Sequence, residues 1–209
     1  MKKQTLWIEL LTIYIFTPLL FVLGLIPSTV LMPVLWLFTF YAFLHLRHTK
    51  IKLFAFNFKK KDLFYILKRF VLIATLMILF VVLYHPDIFL ILLKTKPLFW
   101  LGIMFFYPVL SAYLQEILFR AFFFKRYQKL FNDNPLNLIL LNALIFSYIH
   151  IVFLNWIAVI LTFIGGLLFA HTYLRTKSLM LVSIEHALYG NTLYTIGLGY
   201  YFYHGGFSI

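Results

Sequence analysis

Polar residues in this chain come in short clusters, and the apolar runs between them are continuous rather than alternating. Continuous runs predict membrane-spanning α-helices, which need about 20 apolar residues each, whereas a barrel strand alternates over about ten. A first span is expected from Trp7 to Ile26, closed by Pro27-Ser28, and a second from Thr29 to Leu46, ending in Arg47-His48-Thr49-Lys50. Residues 51–61 mix aromatic and basic side chains and read as an interfacial segment with lysines on lipid phosphates. The third span covers Leu63 to Tyr84, with Lys68 and Arg69 placed to snorkel at its cytoplasmic end. His85-Pro86-Asp87 breaks it, and residues 88–96 are too short to cross. The fourth span starts after Pro97, the fifth runs from Pro135 through His150, the sixth from Asn155 to Arg175 and the seventh from Ser178 to Tyr203. Asn132-Asp133-Asn134-Pro135 is a turn cluster, so the fourth and fifth spans should fold back as antiparallel neighbours.

Composition narrows the class further. Hydrophobic residues make up 64% and charged residues 11%, with a mean hydropathy of +0.96, against about a quarter charged in soluble domains. The expected fold is an all-α polytopic membrane protein, a bundle of about seven (six to eight) transmembrane helices forming one integral membrane domain over residues 1–209. The absence of cysteine excludes disulfides and thiolate metal sites. Met-Lys-Lys leads into a long apolar run with no small-x-small cleavage site, which reads as a retained first helix. A net charge of +12 would suggest nucleic acid in a soluble protein. Here seven spans with a cytoplasmic N-terminus leave only Lys94 and Lys96 of the 18 basic residues outside. The expected partner is membrane lipid, with no nucleic acid, and the expected location is multi-pass in the plasma (inner) membrane.

Three polar residues stand apart inside apolar helices: Glu116, His150 and His186. Glu116 lies 16 residues before Asn132 and His150 lies 15 after Pro135, each roughly 23 Å from the turn at 1.5 Å per residue. Lys125-Arg126 and Arg175 to Lys177 mark the cytoplasmic edge about 15 Å from Glu116 and His186 respectively. The three therefore share one depth and predict a membrane-embedded polar pocket. Each also has a plain structural reading. Glu116 can pair with Arg120 one turn on, and His150 can bond Asn142 or a backbone carbonyl. His171 reads as a satisfied histidine. His186 sits in a denser polar cluster with Glu185 and Asn191. Peptide hydrolysis needs an activated water, oxyanion donors and a proton for the leaving amine. Glu116 and His150 could share the first and last tasks, and His186 with Asn191 could supply donors. Glu116, His150 and His186 could alternatively hold a divalent metal such as zinc, although no HExxH occurs and the nearest two are 34 residues apart. Intramembrane Glu and His also serve proton-coupled transporters.

QEILFR, FSYIH and FIGGLLFAHTYLRTKSLMLVSIEHALYGN, in that order, resemble the CPBP family of intramembrane proteases, also called the Abi family. It includes the CAAX prenyl proteases of the Rce type and bacterial relatives, with signatures EExxxR, FxxxH and HxxxN. The resemblance covers roughly residues 100–200. It implies an eight-helix or similar core, catalytic in residues 97–203 with N-terminal helices in 1–96. It also implies an endopeptidase acting on a membrane-associated or lipid-anchored peptide or protein. A glutamate and a histidine activate water in that family, and a later histidine and asparagine stabilise the oxyanion. Glu116 and Arg120 match the second Glu and the Arg of the first motif, Phe146 and His150 the second motif, and His186 the third. Two positions depart from the pattern. Gln115 replaces the first glutamate, usually the catalytic one, and Asn191 stands fifth after His186, with Gly190 in the asparagine's place. The candidate site is thus Gln115, Glu116, Arg120, His150, His186 and Asn191. Gln115 also motivates a different reading, a catalytically silent relative that binds peptides or helices.

Overall fold

Prolines and small polar caps set the helix starts. The computed structural model describes residues 3–56, 58–131 and 134–202, and every regular element among them is helical. Eight helices follow in order: α1 Lys3–Val22, α2 Ser28–Leu46, α3 Lys60–Tyr84, α4 Ile91–Thr95, α5 Pro97–Phe131, α6 Pro135–Phe153, α7 Trp156–Thr176 and α8 Leu179–Ile196. All but α4 and α8 are long and apolar enough to cross a membrane. Pro97 and Pro135 open α5 and α6, where the missing N–H has no intrahelical partner to lose. Asn134 accepts from the N–H groups of Leu136 (3.0 Å) and Asn137 (3.2 Å). Asn155 caps α7 through Ala158 at 3.0 Å, and Ser178 caps α8 through Leu181 at 3.3 Å. Gly197, at φ +102°, ends α8, and a Cβ there would overlap the Ile88 carbonyl. Of the expected turn, Asn132 and Asp133 lie outside the described residues, as does Tyr203, the expected end of the seventh span.

The segment between α3 and α5 does not cross, as its length predicts. Pro86–Ile88 forms a single tight turn, and Ile88 packs with Val81, Ile196 and Leu198 in a small core under the end of α8. α8 is as long as the shorter spans, but Glu185, His186 and Asn191 lower its hydropathy. It is wedged between α3, α5 and α7.

α5 is unusual: it widens into π-helical turns at Pro108–Tyr113 and again at Ile117–Phe122, on either side of Glu116. Pro108 has no N–H to give, so the regular ladder is already interrupted there. Carbonyls along this stretch find side-chain donors on neighbouring helices, as backbone in an apolar medium must. Trp36 Nε1 donates to Leu110 O (3.0 Å), Thr39 Oγ1 to Leu114 O (3.2 Å), Tyr14 Oη to Leu118 O (2.9 Å) and Asn142 Nδ2 to Phe119 O (2.7 Å). The widened helix is thus clamped from α1, α2 and α6. Glu9 adds a second clamp, accepting from Arg126 (2.7 Å), Tyr127 (2.7 Å) and Tyr41 (3.0 Å).

Tyr14, Phe119, Phe123 and Tyr127 meet edge to face in the main core. α6 and α7 approach so closely at Gly166 that a Cβ there would lie 2.8 Å from the Ala143 Cα. Leu72, Leu79 and Leu83 of α3 are exposed and form part of the lipid-facing surface. Lys68 lies over the Phe64 ring. Arg69 does not snorkel: it turns inward and pairs with Glu185, because a buried carboxylate on α8 is a better partner than the interface.

Candidate active site

Glu116 stands on α5 between the two wide turns and is wholly buried. Its Oε1 lies 2.8 Å from Nδ1 of His186 on α8, and its Oε2 lies 3.2 Å from Nε of Arg120. The expected Glu116–Arg120 pair is therefore present, and it shares the carboxylate with a histidine. A carboxylate can only accept, so His186 carries its proton on Nδ1 and keeps Nε2 free. Packing fixes the ring: Phe169 stacks on it at 4.5 Å, and Phe146 and Tyr107 meet it edge-on at 5.7 and 6.1 Å. Arg120, beyond its ion pair, has no hydrogen-bond partner among the described residues. Its guanidinium instead covers the Phe146 and Phe169 rings at 4.6 and 5.7 Å, whose faces attract a cation.

The polar cluster read around His186 divides in two. Glu185 turns away from His186 to Arg69 of α3, which also donates to Thr172 of α7 at 2.7 Å. That pair ties three helices together. His150, on α6, donates from Nδ1 to the Phe146 carbonyl at 2.6 Å, the backbone partner anticipated for it, while Asn142 serves Phe119 instead. Its Nε2 is left free. The Phe146 ring stands between the two imidazoles, 4.9 Å from His150 and 5.7 Å from His186. His171, expected to be satisfied, has an Nδ1 with no partner among the described residues.

A cavity of about 790 Å³ opens beside these rings. Tyr107, Ser111, Gln115, His150, His186 and Gly190 carry its polar end, and the rest of its wall is mostly apolar, built from α1, α2, α3, α6 and α7. Glu116 is not on the wall and lies behind His186. Gln115 is on it, donating from Nε2 to Ser111 Oγ at 2.8 Å and leaving Oε1 without a partner among the described residues. Asn191 is not brought into the cavity. α8 runs unbroken past Gly190, and Asn191 is turned towards α5, where it donates to Met104 O at 3.3 Å.

The Glu116, His150 and His186 set does not fit a divalent metal. Both oxygens of Glu116 face cationic or N–H groups, Nδ1 of His186 is spent on Glu116, and the Arg120 charge sits against the carboxylate. Among the described residues no three His, Cys, Asp or Glu side chains are placed to hold an ion. Tyr107 and Ser111 are wall residues that the sequence reading passed over. With Gln115 they recur every four residues along the largely apolar first half of α5, and that spacing was the available signal.

The apolar helices define an integral multi-pass membrane protein, and a carboxylate–imidazole pair beside a second imidazole is embedded in the bundle. Residues 95–192 match the Rce1-like family, described as type II CAAX prenyl endopeptidase. The matched segment contains every candidate site residue, and it makes the chain similar to the CAAX-type intramembrane proteases. No curated protein and no solved structure matches the chain.

Proposed function

We propose that the chain is an intramembrane endopeptidase that cleaves a membrane-associated peptide by general acid–base hydrolysis, with His186 as the base. The observation that carries this reading is the Glu116–His186 hydrogen bond at the wall of a cavity shared with His150. Water that donates one hydrogen to Gln115 Oε1 and the other to His186 Nε2, with His150 beside it on the same wall, attacks the scissile carbonyl carbon as the second proton passes to His186. Glu116 stabilises the imidazolium that forms and fixes its tautomer, as a carboxylate does behind a catalytic histidine. The tetrahedral intermediate collapses, the C–N bond breaks, and the same proton leaves on the amine. Glu116 thus acts through His186 as a positioning residue, and Asn191 serves as a clamp on α5. Arg120 pairs with Glu116 in a site where an isolated carboxylate would be costly.

The apolar part of the cavity supports a substrate whose anchor is a lipid chain or an apolar helix, with the scissile bond carried to the polar end. The orientation that fits the charge distribution has the N-terminus in the cytoplasm and the chain in the plasma (inner) membrane.

The test is cleavage of a quenched-fluorescent farnesylated CAAX peptide, and of a membrane-peptide library, by protein purified into nanodiscs. His186→Gln should abolish cleavage, and full cleavage by that variant would overturn the base assignment. Gln115 favours one second reading, a silent relative that binds peptides, because the wall carries an amide where a carboxylate would serve. That reading requires peptide binding without turnover.

A further inference from the structure

Any tetrahedral intermediate in this cavity needs a donor aimed at its oxyanion, and several polar hydrogens around it are already committed. His150 and His186 give their Nδ1–H groups to Phe146 and Glu116. Gln115 gives its amide to Ser111, and Asn191 gives its own to Met104. Tyr107 lines the cavity, as Tyr194 does, and its hydroxyl makes no hydrogen bond to another described residue.

The position of that hydroxyl depends on a single glycine. A Cβ built on Gly190 would overlap Cε1, Cζ and Oη of Tyr107, so the hydroxyl end of the ring lies directly on the backbone of α8. Gly190 is four residues beyond His186, one turn along the same face of the helix. Tyr107 and His186 already meet edge to face at 6.1 Å. Tyr189, which also reaches the cavity, sits one turn beyond Glu185, on the Arg69 side of α8. Tyr194 lies two turns beyond His186 on α8, so the phenol that meets the imidazole is that of Tyr107.

We infer that Tyr107 donates its phenolic hydrogen to the oxyanion and that Gly190 is present to admit it. The inference rests on the peptidase reading above. A phenol on a helix clamped by four neighbouring side chains is a preorganised donor in a water-poor cavity, where such donors have most effect. Tyr107 keeps its proton throughout, so the step adds no proton transfer to the cycle already described.

The experiment uses the full chain in nanodiscs with the farnesylated CAAX peptide and a phosphinate isostere of it, whose tetrahedral anion reads the donor without turnover. Tyr107→Phe removes one oxygen and keeps the ring packing. It should lower kcat about 100-fold with KM unchanged, and weaken phosphinate binding by a similar factor while leaving affinity for the uncleaved peptide intact. Gly190→Ala should produce the same signature, and combining the two should cost no more than the larger single loss. Unchanged kcat and phosphinate affinity in Tyr107→Phe would overturn the inference, as would equal weakening of peptide and phosphinate. The two readings fail separately. If His186→Gln abolishes cleavage while Tyr107→Phe changes nothing, the base stands and the donor falls. If Tyr107→Phe loses phosphinate binding while His186→Gln still cleaves, the donor stands and the base falls.

Discussion

Glu116 and His186, 70 residues apart in the chain, are joined by a hydrogen bond of 2.8 Å between Oε1 and Nδ1. The bond turns two isolated polar residues into one unit. Its carboxylate is shut away from the cavity, and its imidazole is presented to it. Glu116→Gln should preserve the packing but remove the charge and allow the wrong tautomer of His186. The expected result is a loss of about 10²–10⁴ in kcat with little change in KM. Steady-state kinetics on the farnesylated peptide checks it, and a matching rise in KM would point to a binding role instead.

Gln115 decides between enzyme and silent relative. Its unpartnered Oε1 can accept a water hydrogen but cannot take a proton. Gln115→Ala is expected to weaken cleavage, and Gln115→Glu to preserve or raise it, since a carboxylate there adds a second acceptor of protons. Wild-type protein that binds peptide without turning it over, with cleavage appearing only in Gln115→Glu, would establish the silent relative.

The Arg69–Glu185 pair should matter for stability rather than for chemistry. Arg69→Met leaves a wholly buried carboxylate without its cation, which typically costs about 3–5 kcal/mol. The double variant Arg69→Met/Glu185→Gln should recover most of that loss. Thermal denaturation of the four proteins gives the coupling. Additive losses would mean that the pair is not the lock between α3, α7 and α8.

Topology has a clean assay, because the chain has no cysteine of its own. Lys125→Cys and Lys177→Cys, both exposed, should react with an impermeant maleimide from the cytoplasmic side. Leu154→Cys, in the exposed turn after α6, should react from the opposite side. Labelling of residues 125 and 177 from different sides would break the seven-span topology.

The clamps on α5 should be separately measurable. Asn142→Ala leaves the Phe119 carbonyl without its donor in a buried site, a change that costs about 1–3 kcal/mol. Phe119 lies three residues on from Glu116, within the second wide turn, so a fall in kcat larger than the stability loss explains is expected as α5 loosens. A variant that loses stability with kcat untouched would confine the clamp to folding.

The amino-acid sequence by itself determined the class and the helix order, and it singled out polar residues that the bundle brings together. Apolar runs of span length, prolines at helix starts and Asn or Ser caps are local signals, and the helices began where those signals stood. Glu116, His150 and His186 were legible because a titratable side chain in an apolar run is costly and therefore rare. Residue spacing cannot specify which way a side chain turns once a helix departs from its regular pitch. The two wide turns of α5 rotate Gln115 onto the cavity wall and Glu116 behind His186. Carbonyl-to-side-chain bonds from α1, α2 and α6, made by residues more than 20 positions away in sequence, help to hold them there. The unbroken pitch of α8 likewise sends Asn191 to Met104 and opens Gly190 to Tyr107. Those partners meet only when the bundle closes, because the bonds that set them are made between helices and not within them.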